Sequence, residues 1–82
     1  MNASSFLLML QEIQQSIENV LNGAIVQVSD PRADGKHLKV IVTWTGFKGK
    51  SLLEQHRLVN NAVKHLIEIG KVHALSIETH EE

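Results

Sequence analysis

The chain reads as an α+β domain: a three-stranded mixed sheet with its helices packed on one face. Three observations predict this. Two long stretches, near the N-terminus and between residues 51 and 69, carry apolar residues at helical three- and four-residue steps. Three shorter stretches, near 24–28, 38–44 and 72–79, are β-rich, and the second and third alternate at period two. The order is helix, strand, strand, helical stretch, strand. The first two strands are joined by a loop and pair antiparallel. The third follows a helix and can lie parallel to a neighbour. One-sided stripes of this kind are buried most economically by helices on one face of a sheet.

The first helix is capped by Ser4 or Ser5. Phe6, Leu10, Ile13, Ile17, Val20 and Leu21 form its apolar stripe, opposite Gln11, Glu12, Gln14, Gln15 and Glu18. Asn22-Gly23 ends it. Its polar face lacks Lys and Arg, so the stripe reads as core-facing and not as membrane-binding.

Ala24 to Val28 is the first strand, stopped by Ser29-Asp30-Pro31. A polar loop follows, containing the turn pair Asp34-Gly35 and ending in His37. At roughly eight residues it is longer than most hairpin connections, and long polar loops are where function concentrates. Leu38 to Trp44 is the second strand, with Leu38, Val40, Val42 and Trp44 on one face and Lys39, Ile41 and Thr43 on the other.

Gly46-Phe47-Lys48-Gly49 makes a turn, and Ser51-Leu52-Leu53-Glu54 is a capping box that starts the central helical stretch. Leu52, Leu53, Leu58, Val59, Ala62, Val63, Leu66 and Ile67 form its stripe, and Gly70 stops it. A break near Gln55–Arg57 would divide it into a short and a long helix. Gln55 is placed on the polar face, while His56 lies close to the stripe and reads as holding the helix against the sheet by a hydrogen bond. Val72 to Thr79 is the third strand, with His73, Leu75 and Ile77 on one face. The tail Thr79-His80-Glu81-Glu82 reads as frayed.

The 82 residues, 43% hydrophobic and 21% charged, make one ordinary globular domain over 1–82. A chain this short buries only about 60–65% of its unfolded surface. It holds no cysteine, which excludes disulfides and any thiolate ligand of its own. The apolar run Phe6 to Leu10 is too short to span a membrane, and a cytoplasmic protein without membrane contact is expected. The net charge of −1 hides an uneven distribution: −3 over residues 1–31, +4 over 32–57 and −2 over 58–82. The middle segment could therefore present a basic patch to an anionic partner. No catalytic constellation is present. Asp34, Glu54 and Glu68 stand near histidines without making a triad, and the chain reads as a non-enzyme.

Three motifs in order carry a resemblance: Gly35-Lys36-His37-Leu38-Lys39-Val40, then Phe47-Lys48-Gly49-Lys50-Ser51-Leu52-Leu53-Glu54-Gln55-His56-Arg57-Leu58-Val59, then Val72-His73-Ala74-Leu75-Ser76-Ile77. Together they resemble the BolA family over nearly the whole chain. The resemblance implies an α-β-β-α-α-β fold related to class II KH domains. It implies a partner of monothiol glutaredoxins that shares a [2Fe–2S] cluster, in iron–sulfur trafficking and iron-linked regulation. The glutaredoxin and its glutathione would supply thiolates. His73, from the C-terminal strand motif, and His37, from the loop between the first strands, would be the metal ligands; the protein alone, a monomer, would hold no cofactor. Imidazole suits iron, and histidine in place of thiolate raises a cluster's potential.

The resemblance also carries an alternative, a DNA-binding transcriptional regulator using the helical stretch and the basic segment. Lys48, Lys50, His56 and Arg57 would then make nucleic-acid or partner contacts. Gly46-Phe47-Lys48-Gly49 fits the GxxG pattern of KH domains, but there the pattern joins two helices. A turn with Phe47 packed inward accounts for it better here. The slightly acidic net charge argues against strong phosphate binding. Gln55 stands where the family has Arg before the motif histidine, which would remove a charge from a partner face. The family's proline-containing, aromatic C-terminal tail has no counterpart in this sequence.

Overall fold

A computed structural model describes residues 3–81 of the chain. Helix α1 runs Ala3–Val20, strand β1 Ile25–Ser29, strand β2 His37–Thr43, helix α2 Leu52–Glu68 and strand β3 Ala74–His80. The sheet has the order β1-β2-β3, with β1 antiparallel and β3 parallel to β2. The α+β class and the mixed sheet are as the sequence predicts. The central helical stretch is not divided at Gln55–Arg57. The short element before the long helix is a 3₁₀ turn at Thr45–Phe47, because Gly49 (φ 82°) and the cap at Ser51 come after it and restart the chain as one continuous α2. Ser4 and Ser5 lie inside α1; their side chains, and Glu82, lie outside the described residues.

The core is a single layer between sheet and helices. Ile13 and Ile17 of α1 and Leu21 just past its end, four residues apart, meet Val26, Leu38, Val40 and Val42 of the sheet and Val59, Ala62, Val63 and Leu66 of α2. The register explains which strand residues enter it. Val26 pairs with Val42 and Val28 with Val40 across β1 and β2. Leu38 pairs with Leu75 and Val40 with Ile77 across β2 and β3. Alternation then turns Lys39, Ile41 and Thr43 to the other face.

Both ends of α2 are closed by local chemistry. The Ser51 hydroxyl accepts from Glu54 N, and the Glu54 carboxylate accepts from Ser51 N at 3.1 Å. At the other end Gly70, at φ 80°, lets Gly70 N donate to Ile67 O and Lys71 N to Leu66 O, a Schellman closure. The predicted stripe of α2 is shorter than its periodicity. Leu52 and Leu53 are exposed, so the first turn stands clear of the core.

Phe47 is fully buried. Trp44, just past β2, meets it edge-on at 5.3 Å between ring centroids and donates its indole N–H to Asn22 O at 2.7 Å. The β2 exit is thereby tied to the end of α1. A methyl group on Gly46 would fall inside van der Waals contact of the Trp44 ring, which is why that turn carries no side chain.

Candidate metal-ligand site at the sheet end

The loop from Asp30 to Lys36 is organised by two aspartates. Asp30 accepts from Gly35 N at 2.8 Å and from Asp34 N at 3.3 Å. Asp34 Oδ1 accepts from Lys36 N at 2.8 Å and from His37 N at 2.9 Å. Its other oxygen, Oδ2, lies 2.7 Å from His37 Nδ1. Donation by the His37 backbone N–H, then by the His37 ring, then by the Lys36 N–H holds the Asp34 carboxyl well below the usual carboxylate range. Ala33 and Gly35, both at positive φ, let the chain curl tightly enough for this.

His37 opens β2 and is exposed. The parallel register pairs it with Ala74, and Ala74 N donates to Lys36 O at 3.2 Å. His73, one residue before Ala74, is therefore at the same end of the β2–β3 pair as His37. It is exposed, in a bend before β3 begins, and so lies outside the strand that carries Leu75 and Ile77. The reason is the helix closure before it: Lys71 N and Val72 N both donate to Leu66 O, and Val72 fills the core, so regular alternation starts only at Ala74. The sequence thus selects two histidines that the fold brings to one sheet end. Asp34, dismissed as part of a triad, emerges as the partner of His37; its signal was the three-residue spacing within a polar loop.

Other histidines behave differently. His56 is half-buried, and its ring makes no hydrogen bond among the described residues. The expected tie between α2 and the sheet comes from its neighbour. Gln55 is buried at 7% exposure, donates to Lys50 O at 3.0 Å and accepts from the Thr79 hydroxyl. It is not on the polar face, because it lies four residues before Val59 on the buried stripe. His65 is exposed, and His80 lies 2.6 Å from Glu78. Thr79 and His80 belong to β3 and are not a frayed tail, since β3 pairs in register with β2 as far as Thr43–His80.

The basic segment 32–57 does not form one patch. Arg32 and Lys36 flank the His37 loop, while Lys39 projects from the opposite sheet face and pairs with Glu78 at 3.2 Å. Lys48, Lys50 and Arg57 are exposed at the far end, where β2 leaves the sheet and α2 begins. Lys50 and Arg57 share a shallow groove with Glu54, Leu58 and Asn61. The seven-residue β2 separates this end from His37, a distance of about 20 Å at about 3.3 Å per residue. Among the described residues no helix is long and apolar enough to cross a membrane.

Comparison with known proteins places this geometry. The family model described as BolA-like protein matches residues 10–82. A BolA-like protein of Dictyostelium discoideum is 47% identical over 47 residues, which are 57% of this chain and 41% of that protein, so the match spans less than half of that relative. Protein BOLA2 of Arabidopsis thaliana is 35% identical over 69 residues, 83% of this chain and 72% of that one. Among solved structures, a bolA protein homologue from Coxiella burnetii superposes with a TM-score of 0.72 at 34% identity, covering 85% of this chain and 86% of the other.

Proposed function

The chain belongs to the BolA-like family, and from that premise we propose that it is a non-enzymatic partner of a monothiol glutaredoxin, sharing a bridging [2Fe–2S] cluster held on this side by His37 and His73. The observation that carries the reading is the parallel β2–β3 register, which puts both histidines, exposed, at one end of the sheet. A shared cluster needs ligands on an open edge, where a second protein can approach. Two imidazoles on one iron are a known ligand set for [2Fe–2S] centres. The donor chemistry therefore fits. With no cysteine in the chain, the thiolates would come from the glutaredoxin and its glutathione. The cluster is cargo passed or held between two proteins and serves iron–sulfur trafficking and iron-linked regulation.

The test is to mix the protein with a glutathione-loaded [2Fe–2S] monothiol glutaredoxin and record visible circular dichroism. A changed cluster spectrum is expected, lost in the His37→Ala/His73→Ala variant. A double variant that shared the cluster normally would overturn the ligand assignment. An unchanged wild-type spectrum with no complex on a sizing column would overturn the partnership and turn attention to DNA. A salt-dependent binding titration against Lys48→Glu/Lys50→Glu would then be decisive. That charge reversal lies at the far end of β2, so it is expected to leave cluster sharing intact.

A further inference from the structure

The ligand role of His37 leaves its loop unexplained: two aspartates fix seven residues that need only connect two strands. The geometry has a direction. Asp34 Oδ2 faces the ring at Nδ1, 2.7 Å away, while Oδ1 is held by two backbone N–H groups at 2.8 and 2.9 Å. The carboxylate is thus anchored before it meets the ring. Asp30, accepting from Gly35 N and Asp34 N, anchors the backbone that carries it. A carboxylate is an acceptor, so the 2.7 Å contact requires the proton on Nδ1. The remaining nitrogen, Nε2, makes no hydrogen bond among the described residues, and the His37 side chain is 48% exposed.

We propose that Asp34 is a positioning residue: it holds the His37 imidazole in the Nδ1–H tautomer and leaves Nε2 as the free electron-pair donor. Its purpose rests on the cluster-ligand reading above, but the tautomer is a property of this protein alone. Neutral imidazole left to itself prefers the proton on Nε2, the nitrogen that must be bare here. The loop reverses that preference before any partner arrives and fixes the ring's rotation. Carboxylates and carbonyls behind ligating histidines act in this way, and their loss lowers metal affinity about 10–100-fold.

The test uses the full chain, labelled with ¹⁵N, and long-range ¹H–¹⁵N correlation of the His37 ring at pH 8. The wild type is expected to show the Nδ1–H tautomer, and Asp34→Ala to revert to Nε2–H. Asp34→Asn is the sharper variant. Its amide oxygen can keep the Lys36 and His37 backbone bonds while its NH₂ faces Nδ1, which inverts the tautomer in an intact loop. Unchanged amide shifts at Gly35–His37 check that the loop survives. Titrated against the loaded glutaredoxin, Asp34→Asn is expected to weaken cluster sharing about 10–100-fold.

An Nε2–H tautomer in the wild type would overturn the inference. So would an inverted tautomer in Asp34→Asn with undiminished cluster sharing. The two readings fail separately. Normal sharing by His37→Ala would sink the ligand role and leave the tautomer result standing. Loss of sharing in His37→Ala, with neither tautomer nor affinity changed in Asp34→Asn, would sink the positioning role alone.

Discussion

Gln55 is the residue whose type and place disagree most. One amide donates to Lys50 O and accepts from the Thr79 hydroxyl at 7% exposure. It thereby ties the turn before α2 to the last residues of β3. Replacing it with leucine keeps the volume and removes both bonds. The Lys50 carbonyl and the Thr79 hydroxyl are then left without partners, at a cost of about 1–3 kcal/mol. Urea unfolding of Gln55→Leu should show that loss as a lower midpoint at unchanged slope. A loss below about 0.5 kcal/mol would mean that both groups reach solvent. The position was partly legible in the sequence, since 55, 59, 62, 63 and 66 trace one helical stripe. Residue type hid it: a polar side chain on a stripe reads as surface until its partners, 5 and 24 residues away, are known. His73 shows the same limit. Its identity singled it out, but its exposed bend depends on how the preceding helix closes.

Among the elements, α2 was the most legible because its ends are written in local chemistry. Ser51 and Glu54 satisfy one another's backbone N–H groups, and Gly70 supplies the positive φ of the closure. Strand limits shifted by one or two residues, because pairing across the sheet sets them and no local signal marks a first ladder bond. Ser51→Ala removes the cap and should cost about 1 kcal/mol, a fall of about 4–8 °C in Tm for a domain of this size. A pH dependence accompanies it. The Glu54 carboxyl is lowered from its usual value, chiefly by the Ser51 backbone N–H and then by the Ser51 side chain. A carboxylate depressed in the folded state adds stability above its unfolded pKa and loses it as pH falls through the folded one. Thermal unfolding across pH 6 to 2 should therefore find the wild-type advantage over Ser51→Ala shrinking on the acid side. An advantage constant over that range would show that the hydroxyl adds nothing to the lowering, which would then rest on the residue 51 backbone N–H that Ser51→Ala keeps.

At the scale of the whole molecule, the sheet's order and mixed polarity could be read from the succession of elements, whereas the grouping of its charges could not. A run of cations over residues 32–57 looks like one patch in sequence, but β2 passes through it and carries Arg57 and its neighbours to the opposite end from Lys36. Burial obeys the same global rule. Periodicity ranks Ile17 and Val20 as equals on the α1 stripe. In the fold Ile17 is fully buried beneath the sheet, and Val20, on the rim of the stripe at the last helical turn, is 55% exposed. A domain of 82 residues has about 4–12 kcal/mol of total stability at the usual yield per residue. Ile17→Ala leaves a cavity in a core with few side chains to collapse into it and should cost about 2–5 kcal/mol. That is a large share of the whole, so chemical denaturation at 25 °C should begin well before the wild-type transition. Val20→Ala removes a smaller, mostly hydrated side chain from a helix that favours alanine, and its midpoint should stay within about 0.5 kcal/mol of wild type. Equal losses at the two positions would mean that α1 is rotated on the sheet from the arrangement described, with Val20 turned inward and the Ile13–Ile17–Leu21 row displaced from the centre of the core.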